Sequence, residues 1–423
     1  MNILIIGSGG REHSLGLALK KSKNCDSVFF APGNTGTAKL GQNLAISETD
    51  FSALIKAVKR HSIELTLVGP EGPLVNGIVD HFESHNLTIM GPNKIAAQLE
   101  GSKAWAKDKM KSYNIPTAAY ETFTEFNDAK SYIESRNVYP IVIKADGLAA
   151  GKGVTVATSY DIALNALTEC FLDQKFSQAG LQVVIEDFLV GEEASILAFT
   201  DGETIIAMPP AQDHKAVFDA DKGPNTGGMG AYCPAPIATP EIQEQVLEKV
   251  LKPLINGFKK DGILYKGIVY AGLMIAPSGQ ASVVEFNARF GDPETEVILP
   301  KLKTDLIDIF LAVINGTLHH LKIEWDNTTV VGVIMASGGY PGDFEKEKEI
   351  SGIEAAEEIK NVSVIHAGTK EKNNRIVTNG GRVLCVLGQG NTIQDAIKIA
   401  YTGVDKISFK NQHYRTDIGK KAI

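Results

Sequence analysis

The feature that most constrains this chain is the rhythm of its first hundred residues. Short apolar runs alternate there with helical patterns. Strands are expected at Asn2 to Ile6, Ser27 to Phe30, Glu64 to Val68 and Thr88 to Met90, and helices at Arg11 to Lys20, Phe51 to Arg60 and Leu74 to Ser84. Strands separated by helices pair in parallel, and a parallel sheet is covered on both faces. Residues 1–101 are therefore expected to form a parallel α/β domain. Loops at the carboxyl ends of such strands are the usual ligand sites. Here they are GSGGREH (Gly7 to His13), APGNTG (Ala31 to Gly36) and GPEGPL (Gly69 to Leu74, with Glu71 in it).

A chain of 423 residues is too long for one ordinary core, so two to four domains are expected. Residues 102–326 change character. A helix is expected at Lys103 to Tyr113, then strands at Tyr139 to Ala145, Val154 to Ala157, Val183 to Ile185, Glu192 to Phe199, Thr204 to Met208, Gly267 to Ile275 and Ala281 to Phe286. One helix is expected over Glu241 to Lys259. Short polar turns between these strands suggest antiparallel pairing. Residues 327–423 form a third, α+β piece: strands at Val330 to Ala336 and Asn361 to His366, and a helix over Thr392 to Val404. Asn379-Gly380-Gly381 reads as a hairpin signal. The alternating charges Glu345 to Glu349 read as a solvated loop.

Composition narrows the function. A hydrophobic content of 43% with 22% charged residues fits a water-soluble globular chain. A net charge of −8 and the lack of a Lys/Arg run argue against a nucleic-acid binder. The four cysteines are far apart, with no C-x-x-C spacing, which suits a reducing compartment and no zinc site. There is no signal-peptide pattern and no apolar stretch of ~18 residues, so a cytoplasmic location without a membrane span is expected.

Four stretches carry chemistry. In VVEFNARFGDPE, Glu285 and Asn287 are two apart on a strand and so share a face. A carboxylate beside an amide oxygen suits Mg²⁺, which binds through few protein oxygens plus substrate phosphates. Arg289 beside them can hold an anion. In KADGLAAGKGV, a strand ends in Lys144 and a loop with Gly147, Gly151, Lys152 and Gly153 returns into another strand. Such a loop can fold its N–H groups over phosphates. It is not a Walker loop, since Gly153 follows Lys152. In IEDFLVGEE, the edge Glu186-Asp187-Phe188-Leu189 after an apolar run can meet an adenine, and Glu193 can take ribose hydroxyls. The polar segment Asp213 to Tyr232 lacks hydrophobic periodicity, and Gly227, Gly228 and Gly230 allow close backbone approach to a ligand. The first loop begins like G-x-G-x-x-G, but Glu12 stands where the third glycine belongs. That disfavours a dinucleotide and leaves a helix start at Gly9, Gly10 and Arg11 able to bind one phosphate.

In this order and spacing the motifs GSGGREH, GPEGPL, GSK, KADGLAAGKGV, IEDFLVGEEAS, QDHK, GPNTGGMGAY, YAGLMI, EFNARFGDPE, SGGYPG, HAGTK and TNGGRVL resemble the glycinamide ribonucleotide synthetases, the phosphoribosylamine–glycine ligases of purine biosynthesis. The likeness covers essentially the whole chain, and one departure is Glu296, where the family usually has Gln. It implies an ATP-grasp domain with a mobile lid subdomain at about 122–189, behind a parallel α/β domain and before a small α+β domain. It implies that Lys103 and Lys144 contact ATP phosphates, that the loop with Gly151, Lys152 and Gly153 closes over them, and that Glu186, Asp187, Phe188 and Leu189 meet adenine and Glu193 the ribose. Glu285 and Asn287 would hold Mg²⁺ or Mn²⁺. The strand YAGLMI lacks the further acidic ligand common in ATP-grasp enzymes, so phosphate oxygens and water would complete the shell. Arg289, Asp213, Asp292 and Lys215 are expected to serve catalysis. Gly9, Gly10, Arg11, Glu71, Gly227, Gly228, Met229 and Gly230 are expected to bind substrate, and Glu294 could orient the amine.

The partners expected are ATP, glycine and 5-phosphoribosylamine, with no nucleic acid and no membrane. A monomer is expected, open to transient contact with neighbouring purine-pathway enzymes, and a single activity. The rivals are another ATP-grasp ligase acting on bicarbonate, a nicotinamide-dependent oxidoreductase and a non-enzymatic binding module. The motifs GPNTGGMGAY and RFGDPE weigh against the first, and Glu12 against the second. A binding module has no use for two lysines, a glycine flap and a metal pair.

Overall fold

The computed structural model describes residues 1–148, 153–173, 175 and 180–423. Strand Asn2–Gly7 lies at the centre of a five-stranded parallel sheet. Ser27–Pro32 and Gln42–Asn43 lie on one side, Leu65–Val68 and Ile89–Met90 on the other. Alternation along the central strand divides its side chains between two cores. Leu4 and Ile6 pack with Leu54, Val58 and Phe82 of the covering helices. Ile3 and Ile5 face a core that also takes Phe199, Phe290 and Phe310 from later in the chain. That shared core seats the first sheet against the rest of the molecule.

Two antiparallel sheets follow. Tyr120–Phe123, Val183–Asp187, Ile141–Ala145 and Val154–Ala157 form one of them, in that spatial order. It has its own small core with helices Phe126–Arg136 and Tyr160–Phe171. Ile205–Ala207, Glu192–Thr200, Gly267–Ile275 and Ala281–Asn287 form the other. A third sheet is built on Thr329–Ser337 and Arg382–Gly390, with Val362–His366 at one edge. At its other side it recruits Gly230–Cys233 and Gln212–Asp213 from the middle of the chain.

Three sequence expectations are corrected. Asn379-Gly380-Gly381 does not close a hairpin, because Arg375–Thr378 pairs with Thr369–Lys372 around Asn373-Asn374. Both asparagines are left-handed, as a tight two-residue turn needs. The segment Glu241 to Lys259 is not one uniform α-helix. Pro240–Val246 and Lys252–Lys260 flank a π-helical turn at Leu247–Leu251, next to Pro253, which cannot donate to the ladder. The segment Asp213 to Tyr232 is not irregular throughout, since Ala216–Phe218 and Lys222–Asn225 form a small hairpin. Residues Glu345 to Glu349 are exposed at most positions, and Glu347 pairs with Lys370 and Lys372. The four cysteines are free, and among the described residues no helix is long and apolar enough to cross a membrane.

Candidate active site

The strand Ala281–Asn287 presents Glu285 and Asn287 on one side of Phe286, which is buried in the core. A bulge breaks the register just before them: Val283 pairs with Leu273 and Glu285 with Gly272, leaving Val284 over. A bulge re-aims side chains and frees a backbone group from the ladder. The freed Val284 carbonyl accepts from Lys144 Nζ at 3.0 Å. The lysine at the end of strand Ile141–Ala145 thus reaches the base of the acidic strand.

Lys144 also lies 2.9 Å from Glu186 Oε1, whose Oε2 is 2.9 Å from Lys107 Nζ. The Lys144 contact is an ion pair without hydrogen-bond alignment. Lys107 donates to Thr117 Oγ1 at 2.7 Å, and burial pulls its ammonium down to about 8 against the attraction of Glu186. Lys103 donates to the Gly147 carbonyl at 2.7 Å, and burial lowers its pKa. Asp146 accepts from Ser102 Oγ at 3.0 Å and from the Ala104 N–H at 3.0 Å. This fastens the glycine-bearing loop to the start of helix Lys103–Ser112. Gly153 is buried, its carbonyl accepting from the Ala145 N–H at 2.8 Å. Gly151 and Lys152 lie outside the described residues.

Asp187 pairs with Arg136, and Phe188 is exposed beside a half-buried Leu189. Glu193 is paired with Lys215 at 2.7 Å. Burial pushes Asp213 up to about 8 despite Lys215, with Glu294, Glu193 and Glu285 adding to the rise. Burial alone would also raise Glu285. Lys215, Lys144, Lys103 and Arg289 together outweigh it and hold that carboxyl below its ordinary value. Lys215 is itself raised, the carboxylates Glu193, Asp213 and Glu285 outweighing its burial.

Arg289 donates to Asn287 Oδ1 at 3.2 Å. Its Nη2 is 2.9 Å from Glu100 Oε1, and its Nε is 3.4 Å from Glu71 Oε2 without hydrogen-bond alignment. The arginine expected to hold an anion is thus already met by two carboxylates. Arg11 binds Glu12 Oε1 at 2.6 Å and the Phe290 carbonyl at 3.1 Å. Glu12 Oε2 accepts from the Gly9 N–H at 2.5 Å, so the carboxylate occupies the turn where a pyrophosphate would approach. Asp292 pairs with Arg382 Nη2 at 3.0 Å, and the same guanidinium donates to the carbonyls of Asp292 and Gly227. Glu294 is drawn into a buried network with Tyr270 at 2.8 Å and Ser195 at 3.2 Å.

The glycine segment packs directly on this motif. Gly228 has a φ of +114°, and a Cβ there would come within 2.5 Å of Pro293 Cδ. Gly230 pairs in the third sheet, and the Met229 side chain is wholly buried with Val217 and Ala336. The Met229 side chain thus packs into the core, which leaves its backbone as the part able to meet a substrate. Glu100, Lys107, Asp146 and Arg382 are site residues that sequence reasoning did not single out. Asp146 sits in KADG and Arg382 in TNGGRVL, so their motifs marked them, whereas nothing local marks Lys107.

Glu285 and Asn287 offer a metal two hard oxygens, one on a carboxylate held anionic. Among the described residues no cluster of three or more His, Cys, Asp or Glu side chains could hold an ion. The donor set therefore fits an ion whose other ligands come with a nucleotide, and does not fit an all-protein cage.

Residues 1–100 match the N domain of phosphoribosylglycinamide synthetase, residues 101–295 its ATP-grasp (A) domain and residues 330–421 its C domain. A phosphoribosylamine–glycine ligase from Pasteurella multocida is 48% identical over 425 residues, covering 100% of this chain and 98% of the relative. A solved phosphoribosylamine–glycine ligase from Thermotoga maritima superposes with a TM-score of 0.84 at 34% identity, over 99% of this chain and 100% of that one. The biotin carboxylase domain of the Hydrogenobacter thermophilus 2-oxoglutarate carboxylase shares the fold alone, at a TM-score of 0.75, 14% identity and coverage of 98% and 91%. With its three domains matched in order and near-half identity along its whole length, the chain belongs to the phosphoribosylglycinamide synthetase family.

Proposed function

We propose that this chain is an ATP-dependent phosphoribosylamine–glycine ligase, joining the glycine carboxyl to the amine of 5-phosphoribosylamine. The products are glycinamide ribonucleotide, ADP and phosphate. The observation that carries the reading is the half-buried Glu285 carboxylate, held below its ordinary value by Lys215, Lys144, Lys103 and Arg289. Such a cluster suits a polyanion arriving with a divalent cation.

A carboxylate is a poor acyl donor because oxide would have to leave. A glycine oxygen attacks the γ-phosphorus, ADP departs, and glycyl phosphate forms. The amine then attacks the carbonyl carbon, phosphate leaves, and the nitrogen sheds a proton. Most of the catalysis is charge neutralisation and positioning. Lys103 and Lys144 would exchange their present carbonyl and carboxylate partners for phosphate oxygens. Gly151, Lys152 and Gly153 would cover them, the edge Glu186 to Leu189 would receive adenine, and Glu193 the ribose. Glu285 and Asn287 would hold Mg²⁺ or Mn²⁺, which would supply positive charge against the nucleotide's phosphates. Arg289 and Lys215 would face the transferring phosphoryl. Asp213, pushed up to about 8 by burial, is suited to hold the proton that the amine sheds. Asp292, Gly9, Gly10, Arg11, Glu71, Gly227, Gly228 and Gly230 would shape the pocket for the two smaller substrates.

We read the chain as three units, 1–101, 102–326 and 327–423, with the lid near 122–189. We further read it as a cytoplasmic monomer open to transient contact with enzymes of the same pathway. The test is ADP release with glycine and freshly generated phosphoribosylamine, each omitted in turn. ADP release that needs both supports the proposal. Release that needs neither, or that needs bicarbonate, overturns it.

A further inference from the structure

Glu296 lies four residues past Asp292 in the helical turn Glu294–Ile298 and is 1% exposed. Both of its carboxyl oxygens are sealed from solvent, and neither is aligned with an N–H or hydroxyl donor. A buried carboxylate needs a cation or several donors, and an isolated one costs far too much to keep. What Glu296 meets is another acid: the Asp292 carboxyl lies close enough for each to act on the other's proton. Two carboxyl groups in contact share a proton, because both cannot ionise.

The surroundings decide which one keeps the charge. Arg382 is 3.0 Å from Asp292 Oδ1, and Arg11 and Arg289 also act on Asp292. These cations overcome burial and hold Asp292 low. Glu296 is pushed well up by burial, then by Asp292 and Glu294, against Arg382. From the strand Arg382–Gly390 it also faces the Cys385 thiol, itself raised by burial and by these acids. From helix Gly10–Leu19 it meets backbone: a Cβ on Gly10 would lie 2.5 Å from Glu296 Oε1, and 3.5 Å from Ile365 of the strand Val362–His366.

We propose that Glu296 is carried as the neutral acid and is a positioning residue, its carboxyl proton fixing the Asp292 carboxylate between the Gly9–Gly10 turn and Arg382. A Cβ on Gly9 would lie 3.3 Å from Asp292 Oδ2, and Arg382 passes the constraint to the Gly227 carbonyl at 2.6 Å. One proton thus ties the first loop, the RFGDPE segment and the glycine segment together. The functional half of this inference rests on the proposed ligase site, whereas the protonation state does not.

The test compares wild type with Glu296→Gln and Glu296→Leu in the full-length protein. In the infrared difference between wild type and Glu296→Gln at neutral pH, the band of a protonated carboxyl should be lost. Stability gives a second readout. A carboxyl raised by folding holds a proton that the unfolded chain has released above about 4.5, so wild type loses stability as pH rises from there toward the folded value. The Tm of Glu296→Gln relative to wild type should therefore climb with pH across that window. Neither readout needs turnover, so both stand even if the ligase reading fails. For positioning, Glu296→Leu should lose about tenfold or more in kcat/KM. Glu296→Gln should restore it and carry activity further into alkali, since an amide N–H replaces the acid O–H. No lost carboxyl band, or a Tm difference flat with pH, overturns the neutral acid. A Glu296→Leu variant as active as wild type overturns the positioning role.

Discussion

Glu285 is a half-buried carboxylate that burial pushes up and four cations hold below its ordinary value. Replacing it with the neutral isostere removes the charge and keeps the shape. Glu285→Gln is therefore expected to lower kcat about 100-fold or more while the circular dichroism spectrum stays unchanged. A variant within a few-fold of wild type would remove Glu285 from the metal role. Lys107 makes a second test at this scale. Its ammonium is lost as pH rises through about 8, after which Glu186 has Lys144 as its remaining ion-pair partner and draws that lysine from the phosphates. KM for ATP is expected to rise several-fold above that pH, and in Lys107→Met to be raised and flat with pH. The stability term has the opposite sign. Between about 8 and 10.5 the unfolded chain binds the extra proton, so this group favours folding more as pH rises. The shared face of Glu285 and Asn287 was legible because period two is a property of any strand. The pair of Lys107 with Glu186 was not, since it spans seventy-nine positions and is made by packing.

At the scale of elements, the strands and helices with strong periodicity were readable and the short ones were not. The helix Thr35–Leu40 opens on three poor helix formers, Thr35, Gly36 and Thr37, and it depends on Asn34 capping Gly36 and Thr37 at 2.8 and 3.1 Å. The bulge at Val284 left no mark in the sequence, yet it delivers a carbonyl to Lys144. The glycine segment was flagged by composition, but its reason is geometric: Gly228 lies against Pro293 with a backbone angle that side chains avoid. Gly228→Ala is accordingly expected to cost about 1–3 kcal/mol. It should also lower kcat/KM about tenfold or more by displacing the loop from the RFGDPE segment. Urea unfolding and steady-state kinetics on one preparation check both, and unchanged values in either would show that the contact is not needed.

At the scale of the whole molecule, the helix Gly10–Leu19 of the first domain meets the third sheet through histidines. The His366 N–H donates to His13 Nδ1 at 2.9 Å, and Asn34 donates to the His366 carbonyl at 2.9 Å. Burial lowers His13 to about 3 and His366 to about 4, so both are neutral where the unfolded chain's histidines begin to charge. Stability from this contact is full above about 6.5 and is lost as pH falls toward those values. Tm is expected to drop over that range, and less steeply in His13→Asn, whose side chain offers an acceptor with no proton to gain. An identical slope would take His13 out of the acid response. This contact joins residues some 353 positions apart. Its motifs, GREH and HAGTK, could be read, but their meeting could not. The claim on which the account turns is that the glycine carboxyl is phosphorylated before the amine attacks. Glycine labelled with ¹⁸O in its carboxyl tests this directly. One labelled oxygen should appear in each phosphate released with glycinamide ribonucleotide, and phosphate free of label would contradict the mechanism.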